Sequence, residues 1–531
     1  MNNAASLHLS RRSLLGAGVA LIAARALPAA ASAQGARFRR WKITDPAMPP
    51  RVVDSYKKGI SRMLELPPTD PRNWYRNVLV HLFDCPHGNW WFLVWHRAYL
   101  GWLELTLRDL SGDAEFALPY WDWTDTPQVP ATMFEGVLDP NDGAYIAAFG
   151  EFKAQFEPVV VTLYKSFSPE QKEALSKREW LYADGDPQRL WDRVQQHMFF
   201  DQPNARGLTA TTPGLDALTR VAVSGPTVRT ALQTPTFAGG EDDPAGFQSA
   251  MAANHSMGTV KGTLESQPHD NVHGAMTGGS GQAFMVHLLS PVDPIFFLHH
   301  GNLDRLWDVW TRRQKNQPSL SSSRLGRPTL PQGPEFDTWS NEPFLFFSDD
   351  KGNPVSKVKA GEYTEMKLFD YEYSSGFGED EVQAPAVAAA QPQLFEGKVT
   401  AAAVEPGAVA GGFVAVPAAV LETKAPEASR QIAEITLGLT EADQGRRFSV
   451  LVSSGRGVAP VVAGAITVFG HAHGPATFTV PLPEELGVAP AAAETVQLDI
   501  RIVPIGAAAG PSPAAVAAPL PQVRAIQVRT N

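Results

Sequence analysis

Histidine constrains this chain more than any other residue. Ten of its 13 histidines fall between His81 and His300, in two groups of at least three. The first group is His81, His87 and His96, set among Trp90, Trp91, Phe92 and Trp95. The second begins 173 residues after His96, with His269 and His273, and continues with His299 and His300 behind Asp293-Pro294. A metal-free reading would have to find hydrogen-bond partners for this many rings in apolar surroundings. Two trios of imidazoles imply two metal ions instead. Neutral imidazole suits copper, zinc, iron and nickel, and three nitrogens without carboxylate or thiolate leave a coordination position open.

The spacings fit helix geometry in part. His269 and His273 stand at i and i+4, so a helix projects both from one face. His87 and His96 are nine apart, about two and a half turns, so one regular helix would aim them in opposite directions. Pro86 and Gly88 predict a loop around His87, and the apolar run Trp90 to Leu107 predicts a helix carrying His96. Periodicity does not choose between His299 and His300: either one lines up with apolar residues downstream.

The run Trp74 to His81, then Cys85-Pro86-His87-Gly88-Asn89-Trp90-Trp91-Phe92 and Trp95-His96-Arg97, resembles the first copper motif of tyrosinases and catechol oxidases. Pro268 to Gly274, with Asp293 to Trp307, resembles the second. The likeness runs from Trp74 to Trp310, includes the segment Ala117 to Trp123, and reaches Tyr371-Glu372-Tyr373, which is similar to the tyrosine motif closing the catalytic domain. It implies two copper ions, dioxygen as co-substrate and small phenols as substrates. By position, His81, His87 and His96 would hold one copper, and His269, His273 and His300 the other. The gap between His81 and His87 is shorter than in many relatives.

The resemblance implies further roles. Cys85, the only cysteine, stands two residues before His87, where some relatives bond the sulfur to the histidine as a thioether. A buried free thiol is the plainer alternative. Glu265 matches a glutamate thought to orient a water, and Asp270 follows the first histidine of the second site, where many monophenolases have Asn. Asp270 either helps to hold that water as a proton acceptor or pairs with a basic neighbour and leaves the water to Glu265. His287 falls at the gate position over the first copper. The activity implied is oxidation of o-diphenols to o-quinones with hydroxylation of monophenols; the alternatives are a catechol oxidase without monophenolase activity and a hemocyanin-like dioxygen binder. A dizinc or di-iron hydrolase would ordinarily use bridging carboxylates, which these motifs lack.

The remaining sequence frames this site. Ser10-Arg11-Arg12 opens an Ala- and Leu-rich stretch ending Ala31-Ser32-Ala33, which reads as a twin-arginine signal at 1–33 and predicts export to the periplasm or beyond. The stretch is short of the roughly 20 apolar residues that span a bilayer. Cleavage after Ala33 removes three arginines and no acid, moving the formal charge from −10 to −13, so no nucleic-acid partner is expected. No later segment reads as transmembrane, and nothing in the sequence fixes the oligomeric state.

A mainly α catalytic domain with a helical-bundle dicopper centre is expected at 34–375. Within it, Ser168-Pro169-Glu170-Gln171 reads as a capped helix start. A Gly-, Ala- and Pro-rich linker is expected at 376–394. The alternation of Val496, Leu498, Ile500 and Ile502 with polar residues, and similar runs at 448–452, 465–469 and 476–480, predict a smaller C-terminal β-sandwich domain at 395–531. Such a domain would shield the copper site or aid folding. His471 and His473 inside it make too small a fragment for a metal site.

Overall fold

The computed structural model describes residues 36–530 except 179–184, 197–204, 241–245, 257, 280–282, 317–332, 385–392, 402–409, 422–430, 456–457, 471–473, 484–485, 487–493 and 506–520. The signal sequence, His197, His471 and His473 therefore lie outside the described residues.

The helical region is built from α1 (Arg51–Glu65), α2 (Trp74–Asp84), α3 (Phe92–Ser111), α4 (Phe149–Ser166), α5 (Pro169–Ser176), α6 (Pro187–Gln196), α7 (Ala217–Ala222), α8 (Gly225–Gln233), α9 (Asp270–Ala275) and α10 (Ile295–Asn316). Asn73 starts α2 by accepting the backbone N–H groups of Tyr75 and Arg76, and Pro86 follows its end. Ser168 and Gln171 form the reciprocal capping box that starts α5. The start of α10 is fixed from outside the helix. Asp293 forms a fully buried ion pair with Arg206 and accepts the N–H of Ile295.

Asp304, in the middle of α10, ties the remote ends of this region together. One of its oxygens accepts from Arg97 Nε on α3 at 2.6 Å; the other accepts the hydroxyls of Tyr371 and Tyr373 at 2.5 and 2.6 Å. Arg40 reaches the same carboxylate and also binds Glu104 at 2.8 Å. Burial alone would raise the Asp304 carboxyl, but Arg97 and Arg40 outweigh it and hold it low. Arg40 and the two tyrosines come from β1 (Phe38–Arg40) and β2 (Tyr371–Tyr373), a parallel pair that joins the beginning and end of the region. The segment read as a linker starts inside this assembly. Its residues 379–382 form a short 3-10 turn in which Glu379 pairs with Arg312 and Glu381 with Arg229.

The C-terminal region is β-rich, as the alternation predicts. Its strands are β3 (Leu394–Ala401), β4 (Ala410–Pro417), β5 (Gln431–Leu439), β6 (Arg447–Ser453), β7 (Val461–Thr467), β8 (Gly474–Pro481), β9 (Thr495–Pro504) and β10 (Gln522–Thr530). They form one barrel-like antiparallel sheet in the order β7-β6-β9-β4-β3-β10-β5-β8. Val450, Ile466, Phe478, Leu498, Ile500 and Ile526 lie in its separate hydrophobic core.

This sheet docks on the segment that carries His269 and His273. Gln267 donates to the carbonyls of Ala465 and Thr479, Asn271 donates to Ala465, and the Thr467 hydroxyl donates to Asn271 Oδ1. A Cβ at Gly274 would come within 2.8 Å of Thr467, so the close approach requires glycine there. Beside the interface, Thr477 of β8 exchanges backbone hydrogen bonds with Thr259 and Lys261.

Within the helical region, buried His255 straps two segments together. Its ring bridges Asp84 at the end of α2 (2.9 Å) and Glu342 (2.5 Å), and its carbonyl accepts from Asn89. Burial disfavours the imidazolium, but Asp84 and Glu342 outweigh it and raise the His255 pKa. The stabilisation from a raised basic group is fully present below its unfolded-state pKa, about 6.5, and is lost as pH rises through the folded value. His255→Gln should therefore lower the thermal midpoint more at pH 6 than at pH 9. Melting curves at the two pH values check this, and equal losses would show that only neutral hydrogen bonding is at work.

Candidate metal centre

Six secondary-structure contexts converge on one cavity. His81 comes from α2, His87 from the loop after Cys85-Pro86, His96 from α3, His269 from the turn before α9, His273 from α9, and His299 and His300 from α10. The 265–269 turn is a wide π-type turn containing Pro268, whose missing N–H cannot extend a regular helical ladder. All seven rings are essentially inaccessible to solvent. The ligand atoms of His81, His87 and His96 lie within 4.8 Å of one another, as do those of His269, His273, His299 and His300. The two groups adjoin: His96 stacks on His300 at 4.1 Å, and His87 on His269 at 5.6 Å.

The outer nitrogens of most rings are committed to the protein. Nδ1–H of His81 donates to the Leu288 carbonyl at 2.7 Å, that of His96 to Phe92 at 2.7 Å, that of His273 to Met285 at 2.5 Å, and that of His269 to Asp270 Oδ1 at 2.8 Å. A proton on Nδ1 leaves the lone pair on Nε2. Among the described residues, the Nε2 atoms of all four are buried without a hydrogen-bond partner, as are both nitrogens of His300. Burial is also the first reason the rings stay neutral. It depresses the pKa of His81, His269, His273 and His300 far below the ordinary value, with neighbouring imidazoles adding to the effect, and takes His96 down to about 3. Protons therefore compete weakly with a cation for these lone pairs. The donor set fits copper: nitrogen ligands in two groups of three or more, with the neighbouring carboxylates Glu265 and Asp270 engaged by other partners.

His299 differs from the others. The indole N–H of Trp123 points at its Nδ1, 3.1 Å away. The 284–289 loop has a double role, because Met285 orients a ring of one group and Leu288 a ring of the other. His287, between them, is half-buried and outside both metal-site groups.

Asp270 and Glu265 take separate positions. Asp270 gives one oxygen to His269 and the other to the buried ammonium of Lys261 at 2.6 Å. Asp270 thus pairs with a basic neighbour. Glu265 accepts the Gly88 N–H at 2.7 Å and the Ser249 hydroxyl at 2.5 Å, with Lys261 at 3.9 Å. Burial raises both carboxyls, Asp270 up to about 8, against the opposing pull of Lys261. Cys85 Sγ lies 3.6 Å from His87 Nδ1, and burial pushes its thiol pKa up.

Sequence patterns do not disclose Phe469, which follows β7. Its ring lies 3.9 Å from that of His273 and nearly parallel to it, with the rings of His87 and His269 edge-on at 5.2 and 5.4 Å. Its carbonyl accepts from Lys261 Nζ at 2.7 Å. Gly470 turns the chain away at φ +84°, and a Cβ there would sit 2.7 Å from Cβ of His87. Only glycine fits both demands.

Residues 57–313 match the tyrosinase family over its common central domain. Among curated proteins, the chain is 27% identical to (+)-larreatricin hydroxylase of Larrea tridentata over 355 residues, covering 63% of this chain and 48% of that protein. It is 28% identical to a tyrosinase of Hahella sp. (strain CCB-MM4) over 300 residues, covering 55% and 48%. It is 24% identical to a polyphenol oxidase of Malus domestica over 340 residues, covering 60% and 46%. The chain thus spans about half the length of the curated relatives it matches. Two solved structures share the fold: a latent aurone synthase (TM-score 0.53, 18% identity, 94% of this chain and 91% of that one) and latent apple tyrosinase (TM-score 0.51, 18% identity, 94% and 98%). Residues 57–313 therefore form a central domain of the tyrosinase family, whose members are dicopper proteins, and the two buried histidine groups fit that cofactor.

Proposed function

We propose that the protein oxidises o-diphenols to o-quinones with dioxygen and hydroxylates monophenols, with His81, His87 and His96 on one copper and His269, His273 and His300 on the other. The observation that carries this reading is the set of buried, neutral imidazoles of His81, His96, His269, His273 and His300, whose inner nitrogens have no partner among the described residues. Bound copper, unlike zinc, changes oxidation state, and so can pass electrons from a diphenol to dioxygen. The protein's own groups orient the rings, exclude water and accept protons. A monophenol, with a pKa near 10, needs a positioned base. In this reading Glu265 holds a water that takes the phenolic proton, while Asp270 fixes the tautomer of His269. His287 serves as the gate over the first copper. A catechol oxidase is the second reading, favoured by one observation: both oxygens of Glu265 already accept hydrogen bonds from Gly88 and Ser249. Catechol turnover would exclude a pure dioxygen carrier.

The reading extends to the rest of the chain. The C-terminal β region acts as a shield, with Phe469 seated where a phenol ring would stack on His273. Cys85 and His87 form the thioether. The twin-arginine motif addresses the folded protein for export to the periplasm or outside the cell. Among the described residues no helix is long and apolar enough to cross a membrane.

Three measurements test this proposal. Glu265→Gln keeps size and removes charge, so monophenol turnover should fall far more than diphenol turnover; equal losses would make Glu265 structural and favour the catechol oxidase. Phe469→Ala in the full chain removes a stacked, buried ring worth on the order of 1.4 kcal/mol or more, so catechol turnover should rise about tenfold at unchanged copper content. No rise would remove the shielding role. Intact-mass analysis of denatured, copper-loaded protein should show two hydrogens missing and no alkylatable thiol, whereas full alkylation of Cys85 would rule out the thioether.

A further inference from the structure

The imidazole of His299 has the opposite polarity to its neighbours. The indole nitrogen of Trp123 is a donor only, so its hydrogen bond to His299 Nδ1 requires a lone pair at that atom. A neutral ring with its lone pair on Nδ1 carries its proton on Nε2. His81, His96, His269 and His273 are held the other way round, with Nδ1 protonated and Nε2 free. His299 Nε2 is buried and has no acceptor among the described residues. An N–H left in that state has lost its hydration with no hydrogen bond in return. Yet the ring lies within the second group: it stacks on His269 at 5.5 Å and meets His273 edge-on at 5.1 Å.

A ring that offers N–H cannot offer a lone pair from the same nitrogen. His300, with both nitrogens unpartnered among the described residues, can. With no acceptor among the described residues, the partner for this N–H is a group bound beside the ring. We infer that His299 is a hydrogen-bond donor to a small anion or oxygen ligand held at the second copper, with Trp123 fixing its tautomer. His299 is thus a positioning residue for whatever occupies the open coordination position. This assignment rests on the dicopper reading above.

Azide titration of the copper-loaded, fully oxidised full-length protein tests it, with copper content measured alongside. His299→Leu removes the donor and should keep both coppers while weakening azide about tenfold, the typical effect of losing a hydrogen bond to a charged group. His299→Gln restores an N–H donor and should bring the affinity back towards that of the unaltered protein. Trp123→Phe, which leaves the histidine in place, should weaken azide and shift the visible copper spectrum, because the freed ring can turn its lone pair inward. This variant also decides the matter if His299→Leu does not fold. Loss of one copper from His299→Leu would make His299 a ligand, and unchanged azide affinity in both His299→Leu and Trp123→Phe would leave it a packing residue; either result overturns the inference. An unaltered protein that fails to hold two coppers would instead bring down the phenol oxidase reading.

Discussion

Everything in the cavity depends on where each imidazole keeps its single proton. A backbone carbonyl or carboxylate behind a ring draws the proton outward and leaves an inward lone pair; a donor behind it does the reverse. The carbonyls of Leu288 and Met285 act on His81 and His273, one from each group, and belong to one short loop. A displacement of that loop would turn a ring in both groups together, so the relative placement of the two metals is set by shared backbone. Burial then keeps the rings neutral, and neutrality is what makes the lone pairs available.

The β region is bonded to the ligand-bearing segment itself. Gln267 and Asn271 alternate along the chain with His269 and His273; the amides face Ala465, Thr467 and Thr479 while the imidazoles face the cavity. The same few residues therefore carry ligands on one side and the domain interface on the other. Any separation of the β region would expose amides that are now buried and bonded to it, and would loosen the turn at Pro268 that aims His269. If the β region shields the site, as proposed, this attachment makes it a support for the site as well.

The local part of this design is legible in the sequence. The i, i+4 pair, the loop forced by Pro86 and Gly88, the helix under His96, the capping box at Ser168 and the alternation of β9 all depend on near neighbours, and near neighbours are visible in a linear text. Pairings distant along the chain are not. Periodicity cannot separate His299 from His300, because the deciding group, Trp123, lies 176 residues away. Phe469 reads as the end of a strand, and nothing in its flanks reports the rings of His87, His269 and His273. The basic partner of Asp270 is not visible from its flanks either: Lys261 is nine residues away, and its backbone is held by β8.

Lys261 joins the two halves of the problem. Its one ammonium binds Asp270, donates to the Phe469 carbonyl as a second partner and stands 3.9 Å from Glu265. A lysine has three donors, and here one is given to the segment that carries Phe469. If Phe469 withdraws, as the shielding role requires, that donor is released beside two buried carboxyls. Asp270 already holds another of the three, so the carboxylate left to attract the freed one is Glu265. Direct contact is unnecessary for the effect: in a buried setting even a modest approach of a full positive charge stabilises a carboxylate and lowers its proton affinity. Shielding and proton acceptance are then coupled through one side chain, and the opened site need not have the same proton acceptor strength as the closed one.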